Sequence, residues 1–158
     1  MDVVGAKLIE ELIPQLGPFD VVLFADVLEH LVDPFGTLGL AQRFLRGGGA
    51  VVASLPNVAH WTVRLSLLRG RFDYQPVGIM DATHLRWFTL RSLHLLFTQA
   101  NYRIVETRAS AGMWMQVYQV PPWQWIPRRV LRKVLHGAAR AWPTLFGCQY
   151  VIRAEREL

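Results

Sequence analysis

The segment Phe19-Asp-Val-Val-Leu-Phe-Ala-Asp-Val-Leu-Glu-His-Leu-Val-Asp-Pro34 constrains the fold more than any other. Val21 to Ala25 is a continuous apolar run without alternation, the pattern of a strand covered on both faces, as in a parallel α/β sheet. Asp26, Glu29 and His30 follow immediately. Ionisable residues just past the carboxyl end of a strand stand where open α/β sheets bind ligands. Asp33 then reads as an N-cap and Pro34 as the first residue of a helix.

At 158 residues the length is that of one domain. Hydrophobic residues make up 52% and charged residues 18%, which supports a sizeable core and argues against disorder. A single cysteine, Cys148, excludes an internal disulfide framework and fits a reducing compartment, most simply as a buried thiol. No run of about 18 apolar residues is present, and acidic and basic residues interrupt the first stretch, so neither a spanning helix nor a signal peptide is expected. The formal charge of +5 is concentrated in the second half, at Arg128, Arg129, Arg132, Lys133 and Arg140. Such charge invites an anionic membrane or nucleic acid.

Along the chain, a short strand is expected around Val3 and Val4, and a helical turn or loop over Lys7–Gln15. The strand at Val21 follows, then a helix after Pro34 with Phe35, Leu38, Ala41 and Leu45 inward. Gly47–Gly49 reads as its stop. A second apolar strand spans Ala50–Leu55, and a helix covers Ala59–Leu68. Phe72–Phe88 is a long loop carrying Asp81, Thr83, His84, Arg86 and Trp87, and loops of that length in a compact domain are usually functional. Thr89 caps a helix with Leu90, Leu93, Leu96, Phe97 and Ala100 inward. A strand at Tyr102–Arg108, an irregular aromatic stretch, a basic helix over Pro127–Ala141 and a last strand at Gln149–Ala154 complete the order. The whole implies an α/β layered domain with mostly parallel pairing.

Four segments carry a family resemblance: Phe19–Leu31, Gly47-Gly-Gly-Ala-Val-Val-Ala-Ser-Leu-Pro-Asn57, Asp81-Ala-Thr-His-Leu-Arg-Trp-Phe-Thr89, and Phe146-Gly-Cys-Gln-Tyr-Val-Ile-Arg-Ala154. Together they resemble class I S-adenosylmethionine-dependent methyltransferases. The nearest likeness is to a bacterial subgroup similar to the ubiquinone-biosynthesis O-methyltransferases. The resemblance implies a partial Rossmann-like sheet, with the family's fourth, fifth, sixth and seventh strands, flanking helices, and Asp2–Ala6 near the third. It implies that Phe24, Ala25 and Asp26 border the methionine part of the cofactor S-adenosylmethionine. Glu29 and His30 match the acidic-His pair near the transfer site, His84 a substrate-side base, and Asn57 and Trp61 the rim of the acceptor pocket.

The family's glycine-rich turn after its first strand has no counterpart, because Gly47–Gly49 follow a helix and precede a strand. The chain therefore reads as a single, N-terminally incomplete methyltransferase domain over 1–158, with a basic aromatic helical insertion at 121–145. The N-terminal cofactor-binding strands would be absent. The expected activity is O-methyl transfer to a small molecule or a glycan or envelope precursor, silent in this chain by itself. The alternative is a non-catalytic fragment acting by dimerisation or peripheral membrane binding.

Methyl transfer needs alignment and a base for the acceptor hydroxyl. His84 is the first choice, since histidine titrates near neutrality; the simpler reading has it bonded to Asp81 or a backbone carbonyl. Glu29 and His30 form either a catalytic pair or two of a metal's ligands. No third ligand has convincing spacing, so no metal is expected. Arg86 is a candidate to hold an anionic acceptor group, or pairs with Asp81. His60, His94 and His136 read as helix-surface or packing residues. Strand 21–25, left as an edge, is expected to be covered by another chain, by a second copy or by Met1–Ala6 folding back, with a homodimer or a swapped assembly as the expected outcome. Trp123, Trp125 and Trp142 around the basic helix give the pattern of a helix on an anionic membrane, against an ordinary amphipathic helix with a solvated basic face. Nucleic acid is not expected, for want of a binding motif. The expected location is the cytoplasm, peripheral to the inner face of the membrane.

Overall fold

The computed structural model describes residues 17–157; the expected strand at Val3 and Val4 and the turn at Lys7–Gln15 lie outside them. Four strands, β1 (Phe19–Ala25), β2 (Leu45–Pro56), β3 (Tyr102–Ser110) and β4 (Gln149–Arg156), form one sheet in the order β1-β2-β4-β3. Among the described residues five α-helices accompany it: α1 (Pro34–Phe44), α2 (Trp61–Leu68), α3 (Leu90–Gln99), α4 (Arg128–Ala141) and the short α5 (Pro143–Phe146). The α/β class is as expected, but the pairing is not mostly parallel. Only β1 and β2 run parallel, while β4 is antiparallel to both β2 and β3. Hydrophobic patterning sets which face a strand presents and says little about its direction.

One face of the sheet carries the main core. Val22 pairs with Val51 and Ala53 with Ile152, so these side chains share a face. There they meet Leu38 and Ala41 of α1 and Leu93 and Phe97 of α3 in one cluster that also holds Tyr102 and Tyr150. The buried Tyr102 hydroxyl donates to the Leu38 carbonyl at 2.9 Å, which ties β3 to α1. Both helix starts are built as expected. The Asp33 carboxylate accepts from Gly36 N–H at 2.8 Å with Pro34 behind it, and Thr89 forms a reciprocal cap with Ser92.

The opposite face is different. Val21 and Leu23 project there, 51% and 65% exposed, so β1 is covered on one face only, not on both. Farther across, the same face turns polar, where Arg103 and Arg153 each pair with Glu155 at 2.8 Å. Among the described residues no strand pairs with the outer edge of β1.

Two local expectations change. Gly47–Gly49 do not stop a helix: α1 ends at Phe44, Leu45 is already extended, and the glycines lie within β2. Gly49 is needed for space, since a Cβ there would come within 3.1 Å of the Phe19 carbonyl where the β1–β2 register shifts. His60 takes the packing reading of the two the sequence offered. It is fully buried and caps α2, accepting from Thr62 N–H, and burial lowers its pKa to about 4, so it stays neutral. Phe35 is half exposed rather than inward, whereas His94 packs as expected, with Nε2 3.1 Å from the Thr107 hydroxyl.

Leu93 and Leu95 lie on α3, one fully buried and the other 53% exposed. Leu93→Ala is expected to cost about 2–5 kcal/mol of unfolding free energy. Leu95→Ala should stay within roughly 0.5–1 kcal/mol. Urea denaturation of the pair checks the assignment, and equal losses would refute it.

Candidate functional site

The site is assembled at the carboxyl end of β1. After Ala25 the chain turns at Asp26, whose φ of 52° is in the left-handed region and redirects the backbone out of the sheet. Asp26 N–H donates to the Ser54 carbonyl at 3.2 Å, and its carboxylate accepts from the Ser54 hydroxyl at 3.2 Å and from the Gln149 amide. Strands β1, β2 and β4 thus converge on this one carboxylate. A 3₁₀ turn over Leu28–His30 follows, with Leu28 locked in the core.

The 72–88 loop closes over that turn through its backbone. Leu85 and Arg86 N–H both donate to the Glu29 carbonyl, at 2.9 and 3.1 Å. The Arg86 guanidinium donates to the Leu31 and Val32 carbonyls, at 3.3 and 3.2 Å from Nε. Asp81 shapes the bend by accepting from Thr83 N–H and its hydroxyl at 2.8 and 2.7 Å, bonds that lower its pKa.

The result is a meeting of Glu29, His30 and His84, whose ligand-capable atoms all lie within 4.8 Å of one another. The two imidazoles stand edge to face with centroids 4.8 Å apart. Each uses Nδ1 on a backbone carbonyl: His30 donates to Thr83 at 3.2 Å and His84 to Ile79 at 3.2 Å. Those bonds put a proton on Nδ1 of each ring, so that a neutral His84 keeps its lone pair on Nε2. Burial lowers the pKa of His84, which keeps it neutral. Glu29 is 1% exposed, and neither carboxylate oxygen finds a hydrogen-bond donor on another described residue. Burial, reinforced by the nearby Asp26 charge, raises its pKa.

These groups line a cavity of about 210 Å³ that includes Asp26, Asp81, Cys148 and Gln149. A larger groove of about 680 Å³ adjoins it, sharing Gly78, Ile79 and Trp114, and runs between Val63 and Ser66 of α2 and the turn bearing Met115 and Gln119. The sequence-derived candidates divide accordingly. Asp26, Glu29, His30 and His84 come together at the cavity, whereas Phe24 and Ala25 do not line it. Asn57 is fully buried, donating to the Gly147 carbonyl at 2.7 Å and accepting from Ala59 N–H, which brackets β2 to β4. Trp61 donates to the Tyr118 hydroxyl at 3.0 Å and stands behind the groove wall rather than in it. Arg86 lines neither space. Asp81, Trp114 and Gln149 do line the cavity and were not among the candidates; only Asp81, in its motif with His84, carried a signal in the sequence.

A protein-family model described as a methyltransferase domain matches residues 5–107. No curated protein matches the chain. A SAM-dependent methyltransferase from Archaeoglobus fulgidus is similar in structure, with a TM-score of 0.55 at 18% identity over 94% of this chain and 65% of that one. So are one from Methanosarcina mazei (0.53, 14%, 90% and 61%) and one from Thermotoga maritima (0.52, 15%, 89% and 57%). At these identities the likeness is one of fold, and the chain spans 57–65% of the length of these structures.

The unpaired Glu29 carboxylate gives a direct test. Its raised pKa means the folded state favours the protonated form, so its contribution is full below 4.5 and is lost as pH rises above that value. Glu29→Gln is expected to raise the thermal midpoint near neutrality by roughly 2–4 °C, for about 1 kcal/mol. The gain should shrink towards acid pH. A variant less stable than the parent at neutral pH would mean that the carboxylate is satisfied in the fold.

Proposed function

The chain belongs to the methyltransferase-domain family, and from that premise we propose that its cavity is the methionine-side and acceptor-side part of an S-adenosylmethionine-dependent methyl-transfer site. When bound, that cofactor supplies a sulfonium-activated methyl group. The observation that carries the reading is the convergence of Asp26, Glu29, His30 and His84 on one cavity at the end of β1. A volume of about 210 Å³ falls below the ~300–1,000 Å³ usual for a whole ligand of drug size, and so fits the amino-acid end of such a cofactor. Asp26 is the carboxylate placed to meet an ammonium group there.

In this reading the groove beside Trp114 receives the acceptor, a hydroxyl-bearing small molecule or a glycan or envelope precursor, as in the ubiquinone-type O-methyltransferases that the motifs resemble. His84 Nε2 takes the hydroxyl proton as the oxygen becomes nucleophilic. Its Nδ1 bond to Ile79 holds the ring in the tautomer that can do so. Gly78, Ile79 and Trp114 form the shared boundary of the two spaces. In this reading the ribose and adenine contacts are made by residues other than those of the motifs matched here.

Calorimetric titration with S-adenosylhomocysteine tests this. Millimolar binding, weakened by Asp26→Ala, is the expected result. Micromolar binding would overturn the partial-pocket reading. No binding at any concentration would remove the cavity's assignment and favour a non-catalytic methyltransferase-fold protein.

One observation favours a second role for the same cluster. Two imidazoles tied at Nδ1 to carbonyls, beside a buried carboxylate without a partner, form a donor set suited to a divalent transition metal or zinc. The third ligand that the sequence did not reveal is His84. Zn²⁺ or Mn²⁺ at about a hundred times its Kd should stabilise the parent by about 2.7 kcal/mol. Glu29→Gln and His84→Ala should lose that gain. An unchanged thermal midpoint in the parent would eliminate this role.

A further inference from the structure

Between Glu106 and Glu155 the sequence contains no aspartate or glutamate, yet it carries Arg108, Arg128, Arg129, Arg132, Lys133, Arg140 and Arg153. The fold gathers most of this charge on α4. Leu131, Leu135 and Ala139 seal the helix to Tyr118 and Trp123 in a second core cluster. The rest of the helix faces outward, and its outer surface is not uniformly polar. Val130 and Val134 are 50% and 56% exposed, and with Gly137 and Ala141 they follow helical spacing as an apolar stripe. Arg129, Lys133, His136 and Arg140 form the next row at the same spacing, all exposed. Trp125 stands before the helix at 73% exposure and Trp142 after it at 56%.

Five arginines elsewhere on the surface find carboxylates, Arg46 with Asp20, Arg71 with Asp73, Arg103 and Arg153 with Glu155, and Arg108 with Glu106, while Arg64, Arg69 and Arg86 reach backbone carbonyls. On α4, Arg128 reaches Gln119 at 2.8 Å, and Arg129, Arg132, Lys133 and Arg140 make no ion pair with any described residue. A solvated basic face explains the unpaired cations. It leaves unexplained a valine stripe beside them and tryptophans at both ends, because exposed apolar area gains nothing in water. A nucleic-acid backbone satisfies the cations, but it would set phosphates against the valines. An anionic bilayer satisfies both rows together: headgroups meet the cations, valines enter the headgroup–acyl boundary, and indoles lie at the interface.

We propose that the outer face of α4 docks this protein on the surface of an anionic lipid bilayer, with the helix lying in the plane of the interface. At 14 residues the helix is about 21 Å long, enough to lie on a bilayer and too short to cross one; no helix among the described residues is long and apolar enough to span. The proposal rests on α4 and does not depend on methyl transfer.

Vesicle co-sedimentation tests it, with the chain mixed against phosphatidylglycerol–phosphatidylcholine vesicles and against phosphatidylcholine alone. Sedimentation with the anionic vesicles only, falling as salt rises, is expected. The combined Arg129→Gln, Lys133→Gln and Arg140→Gln variant should partition about a hundredfold less, each cation being worth roughly fivefold near such a surface. Val134→Ser with Trp125→Ser, which leaves the charge unchanged, should also weaken binding and reduce the blue shift of tryptophan emission, Trp142 remaining. Equal binding to both vesicle types, or a charge-preserving variant that binds like the parent, would overturn the proposal. So would a parent that ignores vesicles yet binds a single-stranded oligonucleotide. The salt series on the parent reads the same interaction if a variant does not fold.

Discussion

The site depends on one carbonyl. Glu29 C=O accepts two N–H donors from the 72–88 loop, and this small contact holds a long irregular segment against the turn after β1. Because the bonds run from backbone to backbone, they fix the positions of residues rather than selecting side chains. Arg86 reinforces them by spending its guanidinium on the Leu31 and Val32 carbonyls. Without this closure His84 would have no reason to stand beside His30, since 53 intervening residues separate them in sequence. The turn itself is anchored through Leu28, fully buried among residues of the main core. The rigidity of the sheet is thereby transmitted, within a few residues, to the groups of the candidate site.

How much of this was legible in the sequence follows from the range of the interactions. The starts of α1 and α3 were readable because Asp33-Pro34 and Thr89 act within one turn. The inward residues of α3 were readable because helical periodicity is local. Strand direction was not: β4 joins the sheet antiparallel through pairings with residues about a hundred positions away, such as Ala53 with Ile152. For His60 the sequence left helix surface and packing both open, for a related reason. Its place before Trp61 is that of a helix cap, but its burial is set by packing that no neighbour in sequence announces.

The candidate site shows the same division. Asp26, Glu29 and His30 were conspicuous because they follow an apolar strand at once, and His84 because it sits in a long loop. Their convergence came from the loop closure. Arg86 was read as an anion binder from its charge alone, whereas its geometry makes it a staple for carbonyls. Asn57 likewise carries a bracket between strands. In both cases a polar side chain near the cavity is consumed by the backbone around it, and only the hydrogen-bond inventory separates that role from ligand contact.

The side chain of Glu29 is the counterexample. Everything the fold asks of this position is met by its backbone: the carbonyl receives the loop, and the turn geometry is open to many residues. An alanine or leucine would serve the architecture without burying a carboxylate, and burial of an unpartnered acid opposes folding. The cavity is lined by two imidazoles whose Nδ1 atoms are already tied to carbonyls, and burial keeps His84 neutral. On the proposed function, a group that costs stability, supports no other described element and faces a cavity is accounted for by what enters that cavity, whether a proton or a cation shared with His30 and His84. The two occupants leave opposite signatures on the same carboxylate. A proton is held more tightly as the site stays dry, while a divalent ion expels it and removes the penalty. The balance between them is therefore set by the solvation of a single side chain that the fold itself does not need.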